Sequence, residues 1–329
     1  MNILGIETSC DETSAAVVYQ GKKVLSNIVS SSLKEHVPYG GVIPEIASRR
    51  QLEFINRICA RSLSAAGLDL KHIDAIAVTR NPGLIGSLLV GLSFARALSF
   101  AIRKPLVLVN HIKAHAYANF LERPDLPGKT GDRIPRPRLP AVALIVSGGH
   151  TSLFHITSFN HFRLLGQTLD DAAGEAFDKV AKVLELGYPG GPIIDRVAKR
   201  ASRAYPRFNP ALLPGTYDFS FSGVKTAVLY HYQRHKNDRT FSTEQVARSF
   251  QDSVVSILTR KSIDACLKLN CRTLLIGGGV AANSALRETA SDEGRKNGIR
   301  VHVPPMSLCT DNAAMIAGLG FHLLTKGDN

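Results

Sequence analysis

The chain of 329 residues is long enough for one large domain or two of ordinary size, and its 44% apolar content is that of a globular protein. The net charge of +13 suits a polyanionic partner such as nucleic acid, and equally a generally basic, solubilising surface. Five cysteines without a CxxC pair argue against a disulfide framework or a zinc ribbon and fit a reducing compartment.

Residues 3–6 and 15–18 read as two strands joined by a turn rich in carboxylates and hydroxyls. The start carries neither a basic n-region nor a long apolar h-region, so no signal peptide is expected. Residues 23–30 suit a third strand. Residues 45–67 space Ile46, Leu52, Ile55, Ile58 and Leu63 as a helix does. A strand at 73–80 ends at NPGLIGS. The longest apolar stretch, 84–102, contains Arg96 and several Ser and Gly. It is expected as a buried, close-packed helix rather than a membrane span. Residues 106–109 suit a short buried strand. The Pro-rich, charged stretch 122–140 lacks periodicity and reads as a loop or linker. Residues 141–157 repeat the opening pattern of strand, small polar turn, strand. A long helical region covers about 170–186. Residues 273–290 read as strand, Gly-rich turn, helix, and 301–324 as strand, loop, helix. This alternation favours an α/β fold, and the two similar openings suggest a duplication whose halves face each other across a cleft.

Several motifs carry chemistry. VSGGHTS (146–152) puts Gly148 and Gly149 after a strand, where backbone N–H groups approach an anion closely and Ser147 or Thr151 adds a hydroxyl. The same residues suit a plain hairpin. IGGGVAANSALRE (276–288) is neither GxGxxG nor a Walker loop. It suits a nucleotide at a helix N-terminus, or a tight turn capped by Asn283. GYPGGPIID (187–195) follows a helix whose Asp171, Glu175 and Asp178 share one face. Three Gly-rich turns together imply a phosphate-bearing, nucleoside-like ligand. HIKAH sets His111 and His115 at i, i+4, a metal pair or two surface histidines. Ile112 stands where a zincin has its Glu base, which disfavours metalloprotease chemistry. Asp311 lies at a loop-to-helix junction, as an N-cap or, if the fold returns it, a third ligand. In 196–207, Arg196, Lys199, Arg200 and Arg203 fall largely on one helical side near Tyr205. A second basic patch covers 230–239. Each suits nucleic-acid phosphates or is a solvated face.

Taken in order, GIETSCDETSAAV, GGVIPEIASR, PGLIGSLLVG, HIKAH, VSGGHT, DDAAGEAFDKVAKVLELGYPGGP, FSFSGVKTAV, GGGVAAN and CTDNAAMIA closely resemble the TsaD/Kae1/Gcp family, its bacterial branch most. The resemblance implies an α/β ASKHA (actin-like ATPase) fold: two RNase H-like subdomains around a central nucleotide cleft. These would be 1–108, completed by the helix 310–329, and 109–309 with a helical insertion at about 158–270. It implies transfer of a threonylcarbamoyl group from threonylcarbamoyl-AMP to N6 of the adenosine 3′-adjacent to the anticodon in tRNAs reading ANN codons, giving t6A. By position, His111, His115 and Asp311 match the family's ligands for one divalent metal ion, Fe2+ or Zn2+. Ile145, Val146, Ser147, Gly148 and Gly149 match its substrate-phosphate loop. Asp178, Gly191, Asp195 and Asn283 match residues around the adenosine. The implied partners are the tRNA anticodon stem-loop, the paralogue TsaB and the ATPase TsaE, with TsaC or TsaC2 supplying the intermediate. Residues 84–102 and the helix from Glu45 are places where a paralogue could pack. The expected location is cytoplasmic. Gln51 stands where the family often has His, and Asn81 where Gly usually precedes Pro-Gly.

An exocyclic adenine amine is a poor nucleophile, so this reaction needs placement, carbonyl polarisation and proton removal. The opening turn is expected to place Asp11 and Glu12 at the cleft floor as acceptors of that proton, oriented by Ser9 or Thr13. Glu7 reads as a structural acceptor beside its strand. Rival readings are an ATPase or phosphotransferase of the same fold, a metalloprotease (an older label for the family) and a non-catalytic tRNA-binding subunit.

Overall fold

The computed structural model describes residues 1–122 and 136–325, so the loop read at 122–140 lies largely outside the described residues. Two compact units are present: Met1–Pro137 with Pro305–Asn329, and Arg138–Pro304. The change of unit falls at 137–138 rather than at the 108 expected from sequence, because the strand and helix that follow residue 105 build on the first sheet.

The first unit opens with a meander of β1 (Asn2–Glu7), β2 (Glu12–Tyr19) and β3 (Lys23–Ser31). The short α1 (Leu33–His36) and long α2 (Pro44–Ala65) lead to β4 (Ala75–Asn81). Then α3 (Ile85–Ile102) leads to β5 (Leu106–Asn110), and α4 (His111–Tyr117) follows directly. The sheet order is β3-β2-β1-β4-β5, antiparallel through the meander and parallel from β1 to β4 to β5. Ile6, Ala15, Ile76 and Val78 pack with Ile55 and Ile58 of α2 and Ala95 of α3.

The second unit repeats this plan. Its meander is β6 (Ala141–Val146), β7 (Thr151–Ser158) and β8 (His161–Gln167). Four helices follow: α5 (Ala173–Val183), α6 (Gly190–Ala198), α7 (Ser222–His235) and α8 (Thr243–Lys268). Strand β9 (Thr273–Gly277) then joins β6 in parallel, and beyond α9 (Ser284–Lys296), β10 (Arg300–His302) pairs with β9. The order β10-β9-β6-β7-β8 is the first sheet's order read from the other edge, so the expected duplication is written in both sheets. The last helix, α10 (Ala313–Thr325), returns to the first unit. Successive strand residues face opposite sides. Ala77 lies between Ile76 and Val78 and faces α10, where a Cβ on Gly320 would come within 2.5 Å of its own Cβ. The first sheet is therefore covered on one face by α2 and α3 and on the other by α10.

Two elements depart from expectation. Helix α3 is not the buried helix its composition suggests. Only Ser87, Gly91 and Ala95 are buried, a stripe of small residues one turn apart. Val90, Leu92, Phe94, Leu98 and Ile102 are only partly buried against the core, and three large apolar side chains point outward: Ile85 is 86% exposed, Leu89 63% and Phe100 88%. Close approach is made by the small residues, so the long apolar run does not translate into burial. This is the one helix among the described residues long and apolar enough to cross a membrane; it packs along α2 and β4. The basic stretch 196–207 also differs, since α6 ends at Ala198 and residues 201–218 are not helical. Pro206 removes a helix donor and biases Tyr205 away from helical backbone, so Arg203 lies off the helix that carries Arg196.

Candidate active site

The turn between β1 and β2 is shaped from outside itself. From α2, Gln51 Nε2 donates to Cys10 O at 2.8 Å and to Glu12 O at 3.1 Å. Leu84 N donates to Ser9 O at 2.8 Å, and Ser87 Oγ to Cys10 O at 3.3 Å. The buried carbonyls of the turn are thereby satisfied by α2 and the start of α3. Asp11 and Glu12, both partly exposed, flank the end of this turn.

Strand β5 delivers the histidines. Asn110 caps α4, its Oδ1 accepting from Lys113 N at 3.0 Å. His111 is then the first helical residue, and His115 follows one turn later on the same face. Their ring centres are 4.6 Å apart and their planes cross at 81°. Asp311 comes from the far end of the chain. Its simpler role, capping α10, is performed by others: Asn312 Oδ1 accepts from Met315 N at 3.1 Å, and Ser14 Oγ accepts from Ala313 N at 2.9 Å. Asp311 Oδ1 instead lies 3.1 Å from His115 Nε2 and 3.5 Å from His111 Nε2, and the two Nε2 atoms are 3.2 Å apart. Ligands about 2.0–2.1 Å from a tetrahedral ion stand about 3.3–3.4 Å from one another. The triangle therefore fits three corners of a metal site, with a fourth left for water or substrate.

Behind His111 stands Glu7, fully buried. Its Oε2 accepts from His111 Nδ1 at 2.9 Å and from Thr79 Oγ1 at 2.7 Å, and its Oε1 accepts from Ser9 N at 2.5 Å. This keeps the proton on Nδ1 and turns the Nε2 lone pair toward Asp311, the usual support of a metal-binding imidazole.

In the second unit, residues 147–150 close the β6–β7 hairpin. Ser147 N donates to His150 O at 2.8 Å, and His150 N to Ser147 Oγ at 3.1 Å. Space beside Gly148 and Gly149 is open, so the hairpin reading leaves room for a ligand. Ile145 and Val146 are buried in β6 just before it. Helix α5 starts against this loop, Gly174 N donating to Ser147 O at 3.1 Å, and its N-terminal end adds a favourable field for an anion. Asp178 of α5 holds the start of α6, its Oδ1 accepting from Gly190 N at 2.7 Å beside Gly191. Asp195 of α6 in turn accepts from Ser284 Oγ at 2.8 Å. Asn283 caps α9, accepting from Leu286 N at 2.9 Å and donating to Gln251 Oε1 at 2.8 Å. One chain of contacts thus links the loop, Asp178, Gly191, Asp195 and Asn283, although the Asn283 amide is engaged by the cap and by Gln251.

The profile of the family described as "TsaD: tRNA N6-adenosine threonylcarbamoyltransferase" matches residues 23–318. The chain belongs to the TsaD family. It is 49% identical over 328 residues to the tRNA N6-adenosine threonylcarbamoyltransferase of Caldicellulosiruptor bescii, covering 99% of this chain and 94% of that one. To the enzyme of the same name from Symbiobacterium thermophilum it is 50% identical over 325 residues, covering 99% and 92%. Among solved structures, component A of the (R)-2-hydroxyglutaryl-CoA dehydratase of Acidaminococcus fermentans aligns with a TM-score of 0.57 at 13% identity, covering 99% of this chain and all of that one. That likeness concerns the actin-like fold alone. TsaD-family membership makes the chain a transferase of the ASKHA class, as the motif order implies.

The TsaD-family site also explains its own protonation. Burial opposes the His111 imidazolium, but the Asp311 and Glu7 carboxylates outweigh it and raise the pKa to about 9. His115, buried and beside that charge, is lowered. The pair holds its proton on His111, and that proton would have to leave Nε2 for a metal ion to bind there. The Glu12 carboxyl is raised above its ordinary value, by the loss of solvent around it and then by the Asp311 and Asp11 carboxylates. Two contributors escaped the sequence reading. Glu7 reads from sequence only as a structural acceptor, yet a carboxylate closing an otherwise apolar strand is costly to bury unless strongly partnered. Gly174 carries no sequence signal of its own, yet a Cβ there would sit 2.6 Å from Ser147 O and 2.8 Å from Gly148 Cα. Gly174→Ala is expected to shift the loop and weaken binding of the AMP-bearing donor by about tenfold or more, a loss on the scale of one charge-assisted hydrogen bond. Metal content should stay at the wild-type level. Donor KM and metal analysis on the same preparation check both.

Proposed function

We infer that this chain forms t6A, transferring a threonylcarbamoyl group from threonylcarbamoyl-AMP to N6 of the adenosine 3′-adjacent to the anticodon in tRNAs reading ANN codons. One observation carries the reading: in a chain of this family, His111, His115 and Asp311 bring their ligand atoms within 4.8 Å of one another from segments 196 residues apart. We assign one divalent ion, iron or zinc, to these three residues, since two imidazoles and a carboxylate suit either. Such an ion supplies Lewis acidity toward the threonylcarbamoyl end. Glu7 orients the His111 ring and keeps its Nδ1 protonated. Ser147, Gly148 and Gly149, with Ile145 and Val146 behind them and α5 starting alongside, are assigned to the donor phosphate. Asp178, Gly191, Asp195 and Asn283 are assigned to its adenosine. Asp11 and Glu12 are assigned as the carboxylates that accept the N6 proton, the raised pKa of Glu12 favouring its taking one up. The target base must leave the anticodon stack to be reached. The test is direct. Purified protein, threonylcarbamoyl-AMP and unmodified tRNA should yield t6A by nucleoside mass spectrometry, and no t6A even with partner proteins present would overturn the reading.

The outward face of α3 is assigned to a protein partner. Ile85, Leu89 and Phe100 lie on it, and Leu52 of the adjoining α2 is 71% exposed. The paralogue TsaB is the occupant proposed, with TsaE joining and TsaC or TsaC2 supplying the donor, all in the cytoplasm. Leu89→Glu is expected to weaken TsaB binding at least about tenfold, the scale of one well-buried interface residue. The melting temperature of the lone chain should not fall. Calorimetric titration reads the first, and unchanged affinity would place the partner elsewhere.

A further inference from the structure

The segment after α6 is unused by the transfer chemistry. Residues 200–208 run along α8 with no helix or strand of their own. Their backbone is fastened there. Arg248 Nη1 donates to Ala201 O at 3.0 Å and Tyr205 N to Gln245 O at 3.4 Å, while the hydroxyls of Ser249 and Ser253 donate to Pro206 O and Phe208 O. Ala201 and Phe208 are buried against the helix, whereas Arg203, Tyr205 and Arg207 are exposed. Spending the backbone on α8 turns these three side chains to solvent. Arg196, Lys199 and Arg200, just upstream, are exposed as well. From 196 to 217 there are five basic residues and no acidic one. Lys199 pairs with Asp195 at 3.3 Å; Arg196, Arg200, Arg203 and Arg207 make no ion pair among the described residues. Tyr205 is 59% exposed, with the Arg203 guanidinium 5.8 Å from its ring centre.

We propose that this strap is a contact surface for tRNA, its arginines on backbone phosphates and Tyr205 on an unpaired base. The identity of the RNA rests on the transfer reading. Guanidinium forks match phosphate oxygens in pairs, and a base stacks on an aromatic ring whatever its sequence. An acidic protein face would also meet the arginines, but it has no need of an exposed ring among them.

The experiment compares Arg203→Ala/Arg207→Ala, Tyr205→Ala and a control, Arg295→Ala/Lys296→Ala. The control removes basic residues already paired with Asp292 and Glu293 on α9. The full chain binds unmodified tRNA across a salt series. Each lost phosphate contact lowers the slope of log affinity against log salt by about 0.7–0.9. The arginine pair should therefore lose about 1.4–1.8 from that slope. Tyr205→Ala should weaken binding at an unchanged slope, and the control should match wild type. In the t6A assay, the arginine pair should raise the KM for tRNA and keep kcat at saturating tRNA. An unchanged slope and KM in the arginine pair overturns the proposal, as does loss of a protein partner with tRNA affinity intact. If wild type forms no t6A yet the slope falls as stated, the transfer reading fails and the strap stands. If t6A forms and the strap variants behave as wild type, the strap fails and the transfer reading stands.

Discussion

His115→Ala is expected to leave the purified chain without stoichiometric metal and to lower t6A formation by more than about 100-fold, because even outer partners of metal ligands cost 10–100-fold when lost. The fold should survive. His115 Nδ1 has no hydrogen-bond partner among the described residues, so truncation leaves no polar group behind it unpaired. His111, Glu7, Thr79 and Ser9 keep their mutual bonds. His111→Ala should abolish metal equally but cost more stability, about 1–3 kcal/mol, since it strips the fully buried Glu7 of one donor. Metal analysis and thermal melts on both variants decide the matter. If the two retain wild-type metal, the ligand assignment is wrong and the cluster is only a buried polar network.

Why these residues were legible from sequence, and others not, follows from the range of the signal. The β1–β2 opening shows itself through Ile3, Leu4 and Ile6 against a run of polar residues, and α2 through the spacing of Ile55 and Ile58; both are local patterns. His111 and His115 share a face by helical arithmetic alone. For Asp311 the residues leave two roles open, third ligand or helix cap, because capping explains an Asp before α10 equally well. The structure removes that ambiguity by giving the cap to Asn312 and Ser14. Helix α3 differs because apolarity measures what a surface could bury, while only Ser87, Gly91 and Ala95 are fully enclosed and Val90, Leu92, Phe94, Leu98 and Ile102 are covered in part. The 26-residue α8 shows in the sequence only as part of a general helical insertion. It buries Val246, Phe250, Val254, Leu258 and Ile263 among many others, so no single stripe marks it. Glu7 stayed hidden because its partners lie on β4 and α4, and no local pattern shows them.

Glu7→Gln removes one charge and almost no volume, and its effect should nonetheless be large. Three donors converge on this side chain: His111 Nδ1, the Thr79 hydroxyl and Ser9 N. A carboxylate accepts all three, whereas an amide has one oxygen. If the amide nitrogen faces Ser9, two N–H groups collide in a dry site. If it faces His111, the ring must take the other tautomer and carry its proton on Nε2, the atom that would bind metal. Either outcome weakens the site. Metal affinity is expected to fall about 10–100-fold, with t6A formation following it. Chelator-treated protein supplies a second readout. The pKa of His111 is raised from 6.5 to about 9, so its contribution to stability is complete below about pH 6.5 and is lost as the pH climbs through about 9. Glu7 supplies part of that elevation, after Asp311. The loss of melting temperature between those pH values should therefore be smaller in Glu7→Gln than in the parent chain. A variant with the parent's metal affinity and the parent's pH profile would show that Glu7 holds the turn and has no hold on the histidine.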